Sequence, residues 1–575
     1  MTHRRRLRVA LLATALLGAL AMANPASAEP IGTDDPSDVA TLDTTGAATT
    51  DATGPGSAAP GGLTVDRNGC PVNPATPKRQ LRGLWIASVV NIDWPSREGL
   101  DEQTLKAEYD GWLDMAQRLN MNAVFVQIRP TADAFWPSPY EPWSEFLTGV
   151  RGKDPGWDPL GWMVAETHKR NIEFHAWFNP YRVSMPAPSG AGADITKLAP
   201  NHPVRQHPDW AVAYPVNAAG SRLYYNPGIP DVRHFVEDAM MDAVTKYDID
   251  GVHFDDYFYP YPAARQDFPD DATFARYGAG FTDKGDWRRH NIDLLIQEMD
   301  QRIHAAKPWV KFGVSPFGIW RNASSDPLGS DTHGTESYNA NYADTRTWVK
   351  NEWLDYVVPQ VYWNIGLPVA DYAKLVPWWS DVVTGTHVQL YIGQADYKVA
   401  AAGQPAAWFD PNELSRHLTF NEQYNVSGDV HFSAVQVRAD RLNSISILAA
   451  DHYSKPALIP TMTQLPAKPV NFPVVTASAR NASGAVTLTW HDTAQGTVYG
   501  DVASYVVYRF DGTSGADTCG FADAGHVVAT LRRVDGPDQS WVDTTAEPGK
   551  SYTYYVTALD RLWNESNPSP ARVVS

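Results

Sequence analysis

Between Leu81 and His452 the chain alternates eight short apolar runs with stretches of helical periodicity, and this limits its possible folds more than any other feature. The strand-like runs are Leu81–Val90, Asn122–Arg129, Ile172–Asn179, Ile249–Asp256, Val310–Pro316, Tyr356–Trp363, Val388–Gly393 and Val430–Val437. The helical stretches include Glu102–Asn120, Leu160–Asn171, Asp231–Tyr247, Asp286–Ala306, Asn341–Trp353, Asn412–Tyr424 and Asp440–His452. Asp101 is expected to cap the first helix, and Asp231 the one entered after Pro230. Strands that alternate with helices imply parallel βαβ units. Eight of them predict an α/β fold, a (β/α)8 TIM-type barrel with long loops, placed at residues 78–465. Chemistry in such a barrel belongs at the C-terminal ends of the strands.

The ends of these strands are polar with a period of two. Val252 and Phe254 share one parity of strand four, and His253 and Asp255 the other. Alternate residues face opposite sides of a strand, so His253 and Asp255 face the barrel axis. Gln127 and Arg129 do the same in strand two, Glu173, His175, Trp177 and Asn179 in strand three, Gln360 and Tyr362 in strand six, and Gln389 and Tyr391 in strand seven. Polar groups buried in this way are either paired or used.

The densest constellation is Gly251-Val252-His253-Phe254-Asp255-Asp256-Tyr257-Phe258-Tyr259-Pro260. Two carboxylates beside aromatic rings suit glycoside hydrolysis, in which one carboxylate stabilises or attacks the anomeric carbon and another protonates the leaving oxygen. Parity makes Asp255 the reacting group, with Asp256 beside it; either could instead cap the following loop or pair with an arginine. Candidates for the partner acid are Asp133 and Glu141 after strand two, Asp326, Asp331 and Glu336 after strand five, and Asp396 after strand seven. Asp133, between Arg129 and Phe135-Trp136, has the most sugar-like setting, although each of these is equally readable as a solvated loop charge. Asn179, Arg182 and Arg321 are candidates to bond hydroxyls or an acidic substituent. Trp85, Trp94, Trp136, Tyr257, Tyr259, Tyr362 and Trp363 are candidate stacking platforms, each also readable as packing. With 21 Trp and 26 Tyr, the chain has aromatics for both uses.

Other chemistries lack support. His253, Asp255 and Asp256 are possible metal ligands, but no HExxH or regular ligand spacing accompanies them, so neither metal nor cofactor is expected. No G-x-S-x-G elbow or phosphate-cradling glycine loop occurs. A formal net charge of −18 argues against nucleic acid or anionic lipid as a partner.

The flanking segments are of different character. Met1–Arg8 is basic, Val9–Ala23 is apolar but too short to span a bilayer, and Ala26-Ser27-Ala28 is a cleavage site, so residues 1–28 read as a secretory signal peptide and the mature chain as secreted. Residues 29–77, rich in Ala, Thr, Gly, Pro and Asp, read as a disordered linker. No later run is long and apolar enough to enter a membrane. From about residue 466, short alternating strands at Ala485–Trp490, Ser504–Phe510, Val527–Val534 and Tyr552–Leu559 predict a small all-β immunoglobulin-like sandwich. Cys70 and Cys519 are the only cysteines; in an exported chain they either bridge the two domains or remain as two buried thiols.

Several blocks, in order, resemble the glycosyl hydrolase-like 10 family: Leu81–Pro95, Gln127–Ala134, Ala176–Arg182, His253–Tyr257 and Pro359–Trp363. The resemblance implies a secreted or envelope-associated barrel that hydrolyses peptidoglycan glycan strands, including strands stripped of stem peptides, with a strand-four carboxylate nucleophile that falls on Asp255, Asp256 beside it. The partner acid has no matching block. Trp490, Tyr505–Arg509 and Pro548–Asp560 resemble a fibronectin type III module, which implies Trp490 as core aromatic and Tyr552 as the tyrosine corner. Two functions follow: a secreted glycoside hydrolase acting on a polysaccharide of the cell wall or, alternatively, a non-catalytic secreted glycan-binding barrel.

Overall fold

Eight runs rich in β-branched and aromatic residues pair edge to edge and close on themselves. The computed structural model describes residues 64, 65 and 69–575, apart from 216–219, 264, 494–500 and 518. The barrel strands are β1 (Leu81–Ile86), β2 (Ala123–Arg129), β3 (Glu173–Phe178), β4 (Gly251–Phe254), β5 (Lys311–Val314), β6 (Tyr356–Val357), β7 (Gln389–Gln394) and β8 (Gly428–His431). All pair in parallel, and β8 closes on β1 with Gly428 opposite Leu81. Asp101 caps the first helix, Glu102–Arg118, by accepting from the Thr104 N–H. Asp231 makes no cap: Pro230 takes the first helical position, where its missing N–H costs nothing, and Asp231 falls in the first turn. The longest helix outside the expected set, Tyr372–Val383, follows β6 and contains Pro377.

The axis of the barrel is filled by a hydrogen-bonded column rather than by aliphatic layers. Lys311 Nζ lies 2.5 and 2.7 Å from the two Glu173 carboxylate oxygens, and His175 Nε2 lies 3.0 Å from Oε2. His175 Nδ1 meets the Tyr356 hydroxyl at 3.0 Å, and His253 Nδ1 meets the same hydroxyl at 3.3 Å. Trp85 Nε1 donates to His253 Nε2 at 3.3 Å, and Ser315 Oγ lies 3.0 Å from the same nitrogen. Glycines make room for the rings: a Cβ at Gly313 would lie 2.2 Å from the Tyr356 ring, and one at Gly251 2.3 Å from His175 Nδ1.

The C-terminal domain has two antiparallel sheets. One contains Val474–Arg480, Val486–His491 and Asp538–Asp543, and the other Val527–Arg532, Ser504–Asp511, Tyr552–Leu559 and Arg572–Val574. Trp490 is buried between them, and the Tyr552 hydroxyl accepts from the Glu547 N–H at 3.2 Å. This sandwich seals the N-terminal end of the barrel. Trp563 Nε1 donates to Glu173 Oε1 at 2.6 Å, at the foot of the column. Arg561 bonds Asp248 and Asp250, Lys78 pairs with Glu565 at 2.7 Å, and Leu559, Leu562 and Trp563 share one buried cluster with Leu81, Phe125 and Val430.

The predicted signal peptide and nearly all of the predicted linker lie outside the described residues. The end of that linker is not a free spacer: Pro71–Val72 pairs with Thr64–Val65, and Cys70, 5% exposed, is disulfide-bonded to Cys519 with their Cα atoms 5.3 Å apart. No helix among the described residues is long and apolar enough to cross a membrane.

Candidate active site

The C-terminal ends of β1 to β4 carry a chain of hydrogen bonds around the mouth. The Ser88 and Val89 N–H groups donate to Gln127 Oε1 at 3.0 and 2.9 Å, and Gln127 Nε2 donates to Asn179 Oδ1 at 2.6 Å. Asn179 Nδ2 then donates to Asp255 Oδ2. That oxygen also accepts from Trp177 Nε1 at 3.1 Å, while Asp255 Oδ1 accepts from the Tyr257 N–H at 3.1 Å. Asp256 turns the other way. Its Oδ2 accepts from the Tyr261 hydroxyl at 2.6 Å, and its Oδ1 from Gln360 Nε2 at 2.8 Å. Gln360 is held in turn by the Ser315 carbonyl at 2.9 Å.

Both carboxyls are buried, Asp255 at 4% exposure and Asp256 at 8%. Burial, then the neighbouring charge of Asp256, push Asp255 up to about 7 against the pull of Arg182, the Tyr257 N–H and Asn179. Burial also raises Asp256, opposed by the hydrogen bonds from Tyr261 and Gln360. Two adjacent buried carboxyls resist double ionisation, so the pair holds a proton to higher pH than either group would alone. Arg182 stands beside them, its guanidinium 4.9 Å from the Tyr257 ring centroid. Only its Nε–H finds an acceptor among the described residues, the Pro130 carbonyl at 3.0 Å, and Nη2 is buried without one. On the far side of the mouth, half-buried Tyr362, Tyr397 and Phe432 form an aromatic wall with ring centroids 5.8–6.2 Å apart.

Of the residues singled out in the sequence, Asp255, Asp256, Asn179, Arg182, Tyr257, Gln360 and Tyr362 come together here. His253 and Trp85 sit one layer down in the column; burial and the charge of His175 hold His253 far below its ordinary range, so it is neutral. Trp363 packs on Phe317, which packs in turn on Tyr261. The others are engaged elsewhere. Asp133 caps its own loop, accepting from Thr131 N and Oγ1 at 2.9 and 3.0 Å. Arg129 makes a bidentate pair with Glu141, both contacts at 2.6 Å. Trp136 donates to Asp242 in the helix layer. Tyr259 is buried against Phe268 and Tyr342. Arg321 pairs with Asp326 at 2.5 Å in a separate open cleft with Arg289 and Tyr338. Among the described residues the carboxylates of Asp267, Asp270 and Asp271 lie close enough to share a cation, but Lys284 and Arg288 already bridge them.

Five contributors escaped the sequence reading of the site. The sequence faces Trp177 to the axis with His175 and Asn179 but does not assign it to the site. Ser315 lies in the expected run Val310–Pro316, with the parity of Lys311 and Gly313, and Phe432 in Val430–Val437; Tyr261 and Tyr397 lie past the runs, where periodicity says nothing.

The family model for "Glycosyl hydrolase-like 10" matches residues 80–410. The chain is 48% identical over 495 residues to "Glycosyl hydrolase YngK" of Bacillus subtilis (strain 168), covering 85% of this chain and 92% of that protein. It is 41% identical over 393 residues to "Glycosyl hydrolase DigH" of Escherichia coli (strain K12), covering 64% and 86%. Among solved structures, the PgaB (BpsB) glycoside hydrolase domain from Bordetella bronchiseptica superposes with a TM-score of 0.38 at 13% identity, covering 65% of this chain and 99% of that one.

Proposed function

Because the chain belongs to the glycosyl hydrolase-like 10 family and is a glycoside hydrolase, we propose that it is exported and that its substrate is the glycan strand of peptidoglycan. The observation that carries the reading is the buried pair Asp255–Asp256 at the end of β4, facing a wall of half-buried rings. Hydrolysis needs one protonated and one ionised carboxyl, and a coupled pair supplies both at neutral pH. Asp255, the group lifted to about 7, is assigned here as proton donor rather than nucleophile. Asp256, whose oxygens accept from a phenol and an amide, is the ionised partner. Tyr362, Tyr397 and Phe432 offer apolar faces to sugar rings, and the open donors of Arg182 suit hydroxyls or an acidic substituent. The test is incubation with purified, peptide-free glycan strands followed by mass spectrometry. Shortened saccharides carrying one added water per cleavage are expected; intact strands after prolonged incubation with folded enzyme would refute the assignment.

A further inference from the structure

Two acids of the mouth, Asp255 and Asp256, stand side by side. The six other acids that its loops offered are all tied: Asp133 to its own loop, Glu141 to Arg129, Asp326 to Arg321, Asp331 to Lys374, Glu336 to Asn322 and Asn339, and Asp396 to His431. Asp255 and Asp256 are consecutive residues ending one strand, so both stand on the same wall of the mouth. Their donors hold them there: Trp177 and Asn179 from β3 and the loop after it grip Asp255, while Gln360 and Tyr261 grip Asp256. Direct displacement by a protein carboxylate, or by a water that one activates, requires the second group across the sugar ring from the proton donor. Across the mouth, among the described residues, Asp396 is engaged by His431, and Asp93, after β1, by the Ala87 and Val435 N–H groups and Ser433 Oγ.

We propose that the missing nucleophile belongs to the substrate: the carbonyl oxygen of the 2-acetamido group on the sugar whose glycosidic bond is cut. The proposal rests on the reading of the substrate as an N-acetylated glycan. The acetamido oxygen attacks its own anomeric carbon as the bond from that carbon to the leaving oxygen breaks. The Asp255 proton passes to the leaving oxygen. Asp256 takes the amide N–H proton, which leaves a neutral oxazoline. Water then adds to the anomeric carbon and gives a proton to ionised Asp255. The ring opens as Asp256 returns its proton to nitrogen. One water and one glycosidic bond are consumed, both carboxyls end as they began, and two successive inversions retain the anomeric configuration. The half-buried rings of the aromatic wall opposite the pair suit the face of a sugar.

Three measurements on the wild-type enzyme test this. Proton NMR during the first minutes of turnover should show the retained anomer first. A thiazoline analogue of the N-acetylated sugar should inhibit competitively, binding about 100-fold or more tighter than a substrate of the same size. Chemically de-N-acetylated strands should lose about 100-fold or more in kcat/KM. An inverted first product, de-N-acetylated strands cut at a comparable rate, or a glycosyl–enzyme ester on Asp255 or Asp256 after trapping with a fluorosugar would overturn the proposal. If N-acetylated strands are not cut at all, the substrate reading fails instead, and that result is distinguishable from each of these.

Discussion

Asp255 accepts three hydrogen bonds that all favour its ionised form, yet burial and the charge beside it lift it to about 7. A proton donor acts only while protonated, so activity should fall as pH rises through about 7. In Asp256→Asn the charge that raises Asp255 is gone, and the alkaline limb of the pH profile should move to lower pH; an unmoved limb would dissociate that limb from Asp255. Asp255→Asn should lose about 10³-fold or more in kcat/KM on glycan strands but recover much of it on a saccharide with a phenol leaving group that needs no protonation. Arg182→Met removes the positive charge that lowers both carboxyls, so the same limb should move upward while KM rises. What residue type and spacing revealed here was the pair itself, because parity along β4 is a geometric rule. They could not separate Arg129 or Asp133 from the site, since a buried ion pair and a ligand-binding charge use the same side chains and differ only in which partner the fold supplies.

The elements were legible to different depths. Seven of the barrel helices and all eight strands were legible in the alternation of apolar runs with helical periodicity, but two runs overreached: the sixth strand spans only Tyr356–Val357, and the eighth ends at His431, with Ala434–Ala439 helical. The helix Tyr372–Val383 was not legible, because Pro377 and its aromatic, β-branched composition conceal a helical period that tertiary packing enforces. Strands Val474–Arg480 and Asp538–Asp543 were missed for the converse reason: their solvent-facing halves dilute the alternation. The column was hardest to foresee, since it depends on glycines in one strand clearing space for rings in the next. Gly313→Ala forces a methyl into the Tyr356 ring and should destabilise the protein by about 1–3 kcal/mol in chemical denaturation. Wild-type stability in that variant would mean that Tyr356 has room to move. Trp563→Ala leaves a cavity at the foot of the column and deprives Glu173 of a donor, and should cost about 3–5 kcal/mol.

Across the whole molecule, the sandwich acts as the floor of the barrel rather than as an appendage. Its Trp563, Arg561 and Glu565 reach Glu173, Asp250 and Lys78, and the Cys70–Cys519 bridge adds a covalent tie between the segment entering the barrel and the far domain. On the chain-entropy model, a loop closed over 449 residues stabilises by roughly 6 kcal/mol, with measured gains often smaller. Unfolding monitored with and without reductant should show a lower midpoint in the reduced protein, and coincident curves would mean that the noncovalent interface alone suffices.

The bridge also keeps a record of completeness. Ribosomes work from the N-terminus, so Cys70 exists for the time taken to add 449 more residues before Cys519 is made. Throughout that interval its thiol has no intramolecular mate, and a chain interrupted anywhere before residue 519 never acquires one. The oxidised bond is therefore a receipt for a polypeptide carried past residue 519, and a lone reactive sulfur marks one stopped short of it, distinguishable by any reagent that labels thiols and long before catalysis could be assayed.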